Sequence, residues 1–223
     1  MNAFKFAQLV VFGLVSRFAI AAPSLTSDAL RLLDSANRQA DHGERSRAKA
    51  DLDCLLMPYG ITIGMETSGA MAQAVEKGVR VWSERLPGCP FHFTTDPDAA
   101  IKVRFVDEIQ QGGDVQGELH IHRYVRWGHG TASYHVTGTI QVRDNADGHP
   151  LRSSEVSAVV EHELGHLLGL DDESEAGVLM GPFVPGHPVE GPTDEEVSMV
   201  ENFRADVRRA IADLYERSSF RRP

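Results

Sequence analysis

The segment HELGHLLGLDD, residues 162–172, constrains this chain more than any other feature of its sequence. Residues four apart on a helix share a face, so His162 and His166 can hold one metal ion together. Glu163 leans over the same place, where a carboxylate can accept a proton. Gly169 allows a sharp turn, after which Asp172 can return as a third ligand. The segment therefore predicts a helix that ends at a metal centre.

The donor set of this segment suits zinc and hydrolysis. A catalytic zinc site takes three protein ligands from imidazole nitrogen and carboxylate oxygen and keeps one position for water. His162, His166 and Asp172 supply the ligands, and Glu163 would act as the general base that later protonates a leaving amine. Asp171 is the competing third ligand, although the spacing favours Asp172. For the two histidines, the alternative is an ordinary helix with a histidine pair on its surface.

The rest of the chain predicts an order of β-α-β-β-β-β-α-loop-α. Predicted strands cover residues 61–66, 91–95, 100–106, 119–127 and 132–142. The strand–helix–strand start favours a mainly parallel sheet. The later strands lack crossover helices, so at least one of them should be antiparallel.

Helical patterns stand at both ends of the chain and around the histidine pair. Residues 24–57 predict two helices, with a break at Gly43 and a stop at Pro58. A third helix carries Trp82 and follows a cap at Ser68. Ser153 or Ser154 should cap the helix of the HELGH segment, and Thr193 with Glu196 forms a capping box for the last helix.

The first 21 residues have the features of an export signal. Lys5 precedes a mostly apolar stretch at 6–15, and Ala19-Ile20-Ala21 is an A-x-A cleavage pattern. We expect cleavage after Ala21, a secreted protein in the extracellular or periplasmic space, and no stable membrane insertion afterwards. The alternative is an uncleaved membrane anchor, for which the apolar stretch is short.

The composition argues against a nucleic-acid partner and does not decide whether the two cysteines form a disulfide. The formal net charge of −10 argues against a nucleic-acid partner, because phosphate binding requires clusters of Lys and Arg. Two cysteines are too few for a disulfide scaffold. Export would permit a Cys54–Cys89 disulfide, and a buried free thiol is the alternative.

Residues 162–172 resemble the metzincin zinc signature HExxHxxGxx(H/D), with Asp in the last place as in snapalysin-like members. Residues 177–182, GVLMGP, resemble the Met-turn, in which Met180 would form an apolar floor beneath the metal. The lead-in around Trp82 and the start of the last helix at 192–197 resemble the matrixin branch. The resemblance covers roughly residues 59–205.

The resemblance implies a fold, an activity and a domain division. The fold would be an α+β metzincin: a twisted, mostly parallel five-stranded sheet with one antiparallel edge strand, the active-site helix, the Met-turn and a C-terminal helix. Residues 58–223 would form the catalytic domain, and residues 22–57 a helical segment that is either a pro-segment or an appendage. The protein would be a monomeric endopeptidase with one catalytic Zn²⁺. An extended peptide would bind along the edge strand at 119–127, with the loop at 183–187 walling a side-chain pocket.

The chain also departs from the matrixin pattern. Asp172 stands where matrixins have His. There is no PRCG-type cysteine switch, although a Cys54 thiolate on zinc is one alternative to the disulfide. The matrixin structural zinc and calcium loop is not recognisable. His120 and His122 share one strand face and, with His135, could hold a second Zn²⁺ or Ca²⁺ near Asp107 and Asp114, but exposed strand histidines are commoner.

Two other functions compete with a peptidase of this family. One is a zinc-binding module of the same fold without turnover, against which Glu163 argues, because zinc binding does not require it. The other is an HExxH peptidase of another clan with a distant third ligand. The positions of Gly169 and Met180 argue against that.

Overall fold

The computed structural model describes residues 25–65, 69–109, 115–128, 131–146 and 148–219. Four sequence predictions lie outside these residues: the export signal at 1–21, the strand end at Glu66, the cap at Ser68 and the acidic group of Asp114. Across the described ranges, no helix has the length and apolar character needed to cross a membrane.

The N-terminal segment forms a helical hairpin, as the sequence predicted. Its helices are α1 (Ser27–Asp41) and α2 (Arg45–Leu56). Thr26 caps α1, because its side chain accepts a hydrogen bond from the backbone N–H of Ala29 at 3.3 Å. Gly43 has a φ of +78° between the two helices. The hairpin ends where Met57 adopts the left-handed conformation just before Pro58.

The central sheet has five strands in the order β2-β1-β3-β5-β4. The strands are β1 (Ile61–Gly64), β2 (Phe91–Thr94), β3 (Ile101–Val106), β4 (Gly117–Gly128) and β5 (Thr131–Arg143). β1 pairs in parallel with β2 and β3, and β3 pairs in parallel with β5. β4 lies antiparallel to β5 at one edge. The prediction of a mostly parallel sheet with one antiparallel edge strand is therefore confirmed.

Helices α3 (Ala70–Arg85) and α4 (Ser153–Leu167) pack closely against each other. A side-chain carbon on Gly78 would lie 2.8 Å from the carbonyl oxygen of Ser157, so the crossing requires glycine there. The buried Trp82 indole donates to the Glu161 carbonyl at 2.8 Å. These contacts fix α4, the helix of the HELGH segment, against the rest of the core.

Two short strands lead into α4, and a long helix ends the fold. The strands are β6 (Asn145–Ala146) and β7 (His149–Pro150), and the last helix is α5 (Asp194–Ser219). The capping box of α5 is confirmed: Thr193 Oγ1 accepts from the Glu196 N–H at 3.1 Å, and the Glu196 carboxylate accepts from the Thr193 N–H at 2.7 Å.

The predicted cap of α4 is wrong by one or two residues. The cap is Arg152, and Ser153 is the first helical residue. The reason is Glu155, whose carboxylate accepts hydrogen bonds from the Arg152 backbone N–H at 2.8 Å and from its guanidinium at 3.1 Å. Because the Glu155 carboxylate accepts the Arg152 backbone N–H, the helix begins after Arg152, and neither Ser153 nor Ser154 serves as its N-cap.

The apolar side chains form two clusters. The larger one includes the sheet, α3 and α4, and the smaller one joins the N-terminal hairpin to α5 through Phe203 and Val207. The two cysteines divide between them. Cys54 is buried in the smaller cluster, whereas Cys89 packs against the larger one. Both are free thiols, so the disulfide prediction is wrong in this structure.

Candidate metal centre

Helix α4 carries both histidines, and each ring is held in place by a hydrogen bond to a backbone carbonyl. His162 Nδ1 donates to the Leu179 carbonyl at 2.8 Å, and His166 Nδ1 donates to the Leu170 carbonyl at 2.9 Å. A carbonyl oxygen can only accept, so each Nδ1 carries a proton, and Nε2 is the nitrogen of each ring that is left to bind a metal. The two rings meet edge to face with centroids 4.8 Å apart. Both Nε2 atoms are therefore prepared as ligands.

The chain turns back at Gly169 and brings Asp172 to the two histidines. Gly169 has a φ of +104°, a conformation that favours glycine. Asp172 Oδ1 lies 3.1 Å from Nε2 of His162 and 3.4 Å from Nε2 of His166. Asp171, the competing residue, instead accepts the Asp172 backbone N–H on its carboxylate at 3.1 Å. The structure thus brings Asp172, and not Asp171, to the histidine pair.

The three side chains form a group that fits zinc. One ligand atom from each of His162, His166 and Asp172 lies within 4.8 Å of the other two, the only such group of three among the described residues. Two imidazole nitrogens and a carboxylate oxygen are a zinc donor set. Hydrogen bonds from His162 and then His166 lower the pKa of Asp172. Burial disfavours protonated His166, but the bond to Asp172 and the charge of Glu163 prevail and raise its pKa to about 9.

Glu163 lies in the same cleft and is only 4% exposed. Burial raises its pKa, and the charges of His162 and His166 act in the opposite direction. A side-chain carbon on Gly117, the first residue of β4, would lie 2.5 Å from Glu163 Oε1. The Glu163 carboxylate thus rests against the backbone of the edge strand. Sequence reasoning missed Gly117, because this contact joins residues far apart in the chain.

Met180 lies directly beneath the histidine-bearing helix. It is fully buried, and a side-chain carbon on Gly165 would lie 2.3 Å from its sulfur. Its backbone N–H donates to Glu196 Oε1 at 2.8 Å, which ties this turn to the start of α5. The preceding carbonyl, of Leu179, is the one that holds His162. Met180 thus packs under the turn of α4 that lies between His162 and His166.

A cleft of 910 Å³ contains the centre. Its walls come from the start and middle of β4, the Met180 turn and the loop at 183–187, and it reaches the first residues of the N-terminal hairpin. Sequence reasoning anticipated the loop but not the hairpin residues. Thr26 and Asp28 line the cleft because Leu25 forms an antiparallel bridge with Leu170.

The second metal group proposed on the strands does not form among the described residues. His120 pairs with Glu118 at 3.1 Å, and the ring of His135 stacks on Tyr124 with centroids 5.1 Å apart. His122 lies exposed on the same strand as His120. In the β4–β5 ladder His135 lies opposite Tyr124 and His122 lies opposite Thr137, so these histidines do not face each other directly.

Comparison with known families agrees with the geometry. The family model described as Matrixin, of the M10 peptidases, matches residues 48–215. The chain therefore belongs to the matrixin family, whose enzymes are zinc metallopeptidases, and its catalytic domain is matrixin-like. The match begins inside α2, so it includes part of the N-terminal hairpin. A search of the curated proteins finds no match.

Proposed function

We propose that this protein is an exported zinc-dependent endopeptidase with His162, His166 and Asp172 as metal ligands and Glu163 as general base. One observation carries the proposal. Two imidazole nitrogens, of rings held at Nδ1 by backbone carbonyls, and one carboxylate converge within 4.8 Å, in a cleft that also holds a buried glutamate. A zinc-binding module without turnover would have no need of that glutamate.

Each residue of the centre has a distinct task. When bound, zinc supplies a Lewis acid that polarises a carbonyl group and lowers the pKa of a water. The Leu179 and Leu170 carbonyls accept hydrogen bonds from Nδ1 of the two histidines, so Nε2 is the nitrogen that each ring would offer to the metal. Glu163 accepts a proton from the attacking water and returns it to the leaving amine. Its burial favours the protonated carboxyl that exists between these two proton transfers.

The substrate is an extended peptide that aligns with β4. This strand is an edge of the sheet, and its residues Gly117, Glu118, Leu119, Ile121 and Arg123 contribute to the cleft wall. An edge strand offers unpaired N–H and C=O groups, so a peptide can pair with it beside Glu163. Phe183, Val184 and His187 line the cleft and would contact a substrate side chain.

Mutation of Glu163 tests the assignment. We expect the Glu163→Gln variant to keep stoichiometric zinc and to lose cleavage of casein by about 10²–10⁴-fold, the usual contribution of a general base. Glu175→Gln, an exposed site outside the cleft, serves as the control. Zinc is measured by native mass spectrometry. If the wild type binds zinc yet cleaves no member of a diverse peptide library, the protein is instead a silent binding module.

Export is a separate part of the proposal. It is supported by the basic, apolar and A-x-A pattern of residues 1–21. N-terminal sequencing of protein from the culture medium or periplasm should begin at Ala22. An intact N-terminus at Met1 in a membrane fraction would instead indicate an uncleaved anchor.

A further inference from the structure

A second cavity lies apart from the metal centre, where the connector after α2 meets the turn before β2 and the middle of α5. Its volume is 460 Å³. The connector contributes Met57 and Tyr59, the turn contributes Cys89, β2 contributes His92, and α5 contributes two arginines. None of these residues lines the cleft of the candidate metal centre. The cavity is in the range of small-molecule pockets.

Arg204 is the distinctive group of this cavity. It is only 5% exposed, and its single hydrogen bond to protein, among the described residues, runs from Nη2 to the Gly88 carbonyl at 3.1 Å. Its Nε and Nη1 are buried without a partner in the described part of the chain. Buried guanidinium groups are normally paired, because an unpaired buried charge is costly.

The surroundings of Arg204 add positive charge. Arg208, one helical turn along α5, also lines the cavity. Burial and then the charge of Arg208 lower the pKa of Arg204. The imidazole of His92 lies against Gly60, where a side-chain carbon would be 2.8 Å from Nε2. No carboxylate stands among the described residues that line the cavity.

We propose that this cavity is a binding site for a small oxyanion, a carboxylate or a phosphate, held by Arg204 and Arg208. Two unused N–H donors and a second guanidinium fit such a group, because arginine donates charge-assisted hydrogen bonds to carboxylate and phosphate oxygens. A bound anion would join the connector of the N-terminal hairpin to the catalytic domain. The site goes beyond peptide hydrolysis and does not depend on it.

The two cysteines supply a local test on the full chain. Cys89 lines the cavity and is partly exposed, whereas Cys54 is fully buried, which makes it an internal control. We expect inorganic phosphate or acetate to slow the reaction of Cys89 with iodoacetamide about fivefold or more, relative to sodium chloride at equal ionic strength. Protection by phosphate alone or by acetate alone identifies the anion class that the site takes. Protection by neither overturns the proposal.

Variants on α5 localise the effect. Arg204→Met should abolish protection, and Arg208→Gln should weaken anion binding by about tenfold. Arg209→Gln is the matched control, because Arg209 lies on the same helix and pairs with Asp206 at 2.7 Å. Calorimetric titration of phosphate and acetate into each variant gives the dissociation constants. Equal anion affinity in the wild type and Arg208→Gln, a surface change that preserves folding, overturns the assignment.

Discussion

At the scale of single residues, Asp172 and Asp171 differ in whether they contact the histidine pair. Asp172 touches both histidines, whereas Asp171 accepts a backbone N–H. We expect Asp172→Ala to weaken zinc binding by about 100-fold or more, since loss of a mere outer partner already costs about 10–100-fold. Asp171→Ala should stay within about threefold of the wild type.

Competition with a zinc chelator dye measures both affinities of this pair of variants. The two substitutions are matched in chemistry and differ by one position, so they separate ligand loss from a general loss of acidic charge. The assignment fails if Asp171→Ala loses zinc while Asp172→Ala retains it.

A glycine on the edge strand lies against the carboxylate of Glu163, the proposed general base. A methyl group at Gly117 would lie 2.5 Å from both Glu163 Oε1 and Val159 Cγ1. We expect Gly117→Ala to displace the Glu163 carboxylate and lower kcat by about tenfold or more, because small misplacements of catalytic groups are costly. Zinc content should not change.

Gly128 at the other end of the same strand is the control for this substitution. A methyl group there meets no described atom within 4 Å, so Gly128→Ala should leave kcat and zinc content unchanged. Steady-state kinetics on one peptide, with zinc content measured in parallel, compares kcat of the two variants with that of the wild type. Equal kcat for Gly117→Ala and the wild type would show that Glu163 is not held by this contact.

Residues of the centre differ in how far the sequence could reveal them. His162, Glu163 and His166 share one helix turn, and their spacing alone predicts a common site. Asp172 follows within one local turn at Gly169. Gly117 contacts Glu163 only after the sheet has formed, and no local pattern marks that contact.

At the scale of elements, the start of α4 is tied to the loop that walls the cleft. Glu155 Oε1 accepts the Gly186 backbone N–H at 2.8 Å, while the same carboxylate binds Arg152. Hydrogen bonds from the Arg152 side chain lower the pKa of Glu155 from 4.5 to about 2. The Glu155 carboxylate thus connects the start of α4 to the loop at 183–187 through hydrogen bonds.

The lowered pKa of Glu155 predicts how the stability of the fold changes at acidic pH. A carboxyl whose folded pKa is depressed stabilises the fold fully above its unfolded value, near 4.5, and loses that contribution as pH falls towards about 2. The wild type should therefore exceed Glu155→Gln in unfolding free energy by about 2 kcal/mol at pH 7, with the difference shrinking below pH 4.5. Glu175→Gln is the exposed control. Urea unfolding across this pH range measures the difference, and a constant gap contradicts the linkage.

Local patterns in the sequence were easier to predict than the cap of α4 or the state of the two cysteines. The alternation of Ile101 and Val103 and the capping box of Thr193 and Glu196 are local patterns, and both appear in the structure. The cap of α4 was missed because Arg152 is not a usual cap residue and is stabilised by Glu155. The free state of Cys54 and Cys89 depends on which apolar cluster each joins, which spacing does not reveal.

At the scale of the whole molecule, the N-terminal hairpin is packed into the fold. The Arg123 side chain, 1% exposed, donates to Asp28 of α1 at 2.8 Å and to the Leu167 carbonyl of α4 at 2.7 Å. The Thr26 N–H donates to the Gly169 carbonyl at 2.9 Å. The hairpin thus contacts the same turn that brings Asp172 to the two histidines.

These contacts bear on whether residues 22–57 are removed as a pro-segment. Removal would uncover Phe203 and Val207 of α5, which are buried in the smaller apolar cluster. Exposing these two side chains alone costs about 4 kcal/mol. It would also leave Arg123 without Asp28, and a buried charge that loses its partner is strongly destabilising.

We therefore predict that a chain beginning at Pro58 is less stable by several kcal/mol than one beginning at Ala22 and binds a hydrophobic dye. Its zinc affinity should fall as well, because the Gly169 turn loses its partner at Thr26. Urea unfolding and zinc titration of the two chains provide the measurement. Arg123→Met in the longer chain removes the guanidinium but keeps the apolar cluster, so it separates the ion pair from the packing. If the shorter chain matches the longer one in stability and zinc affinity, residues 22–57 are a dispensable segment and the smaller cluster is not needed by the catalytic domain.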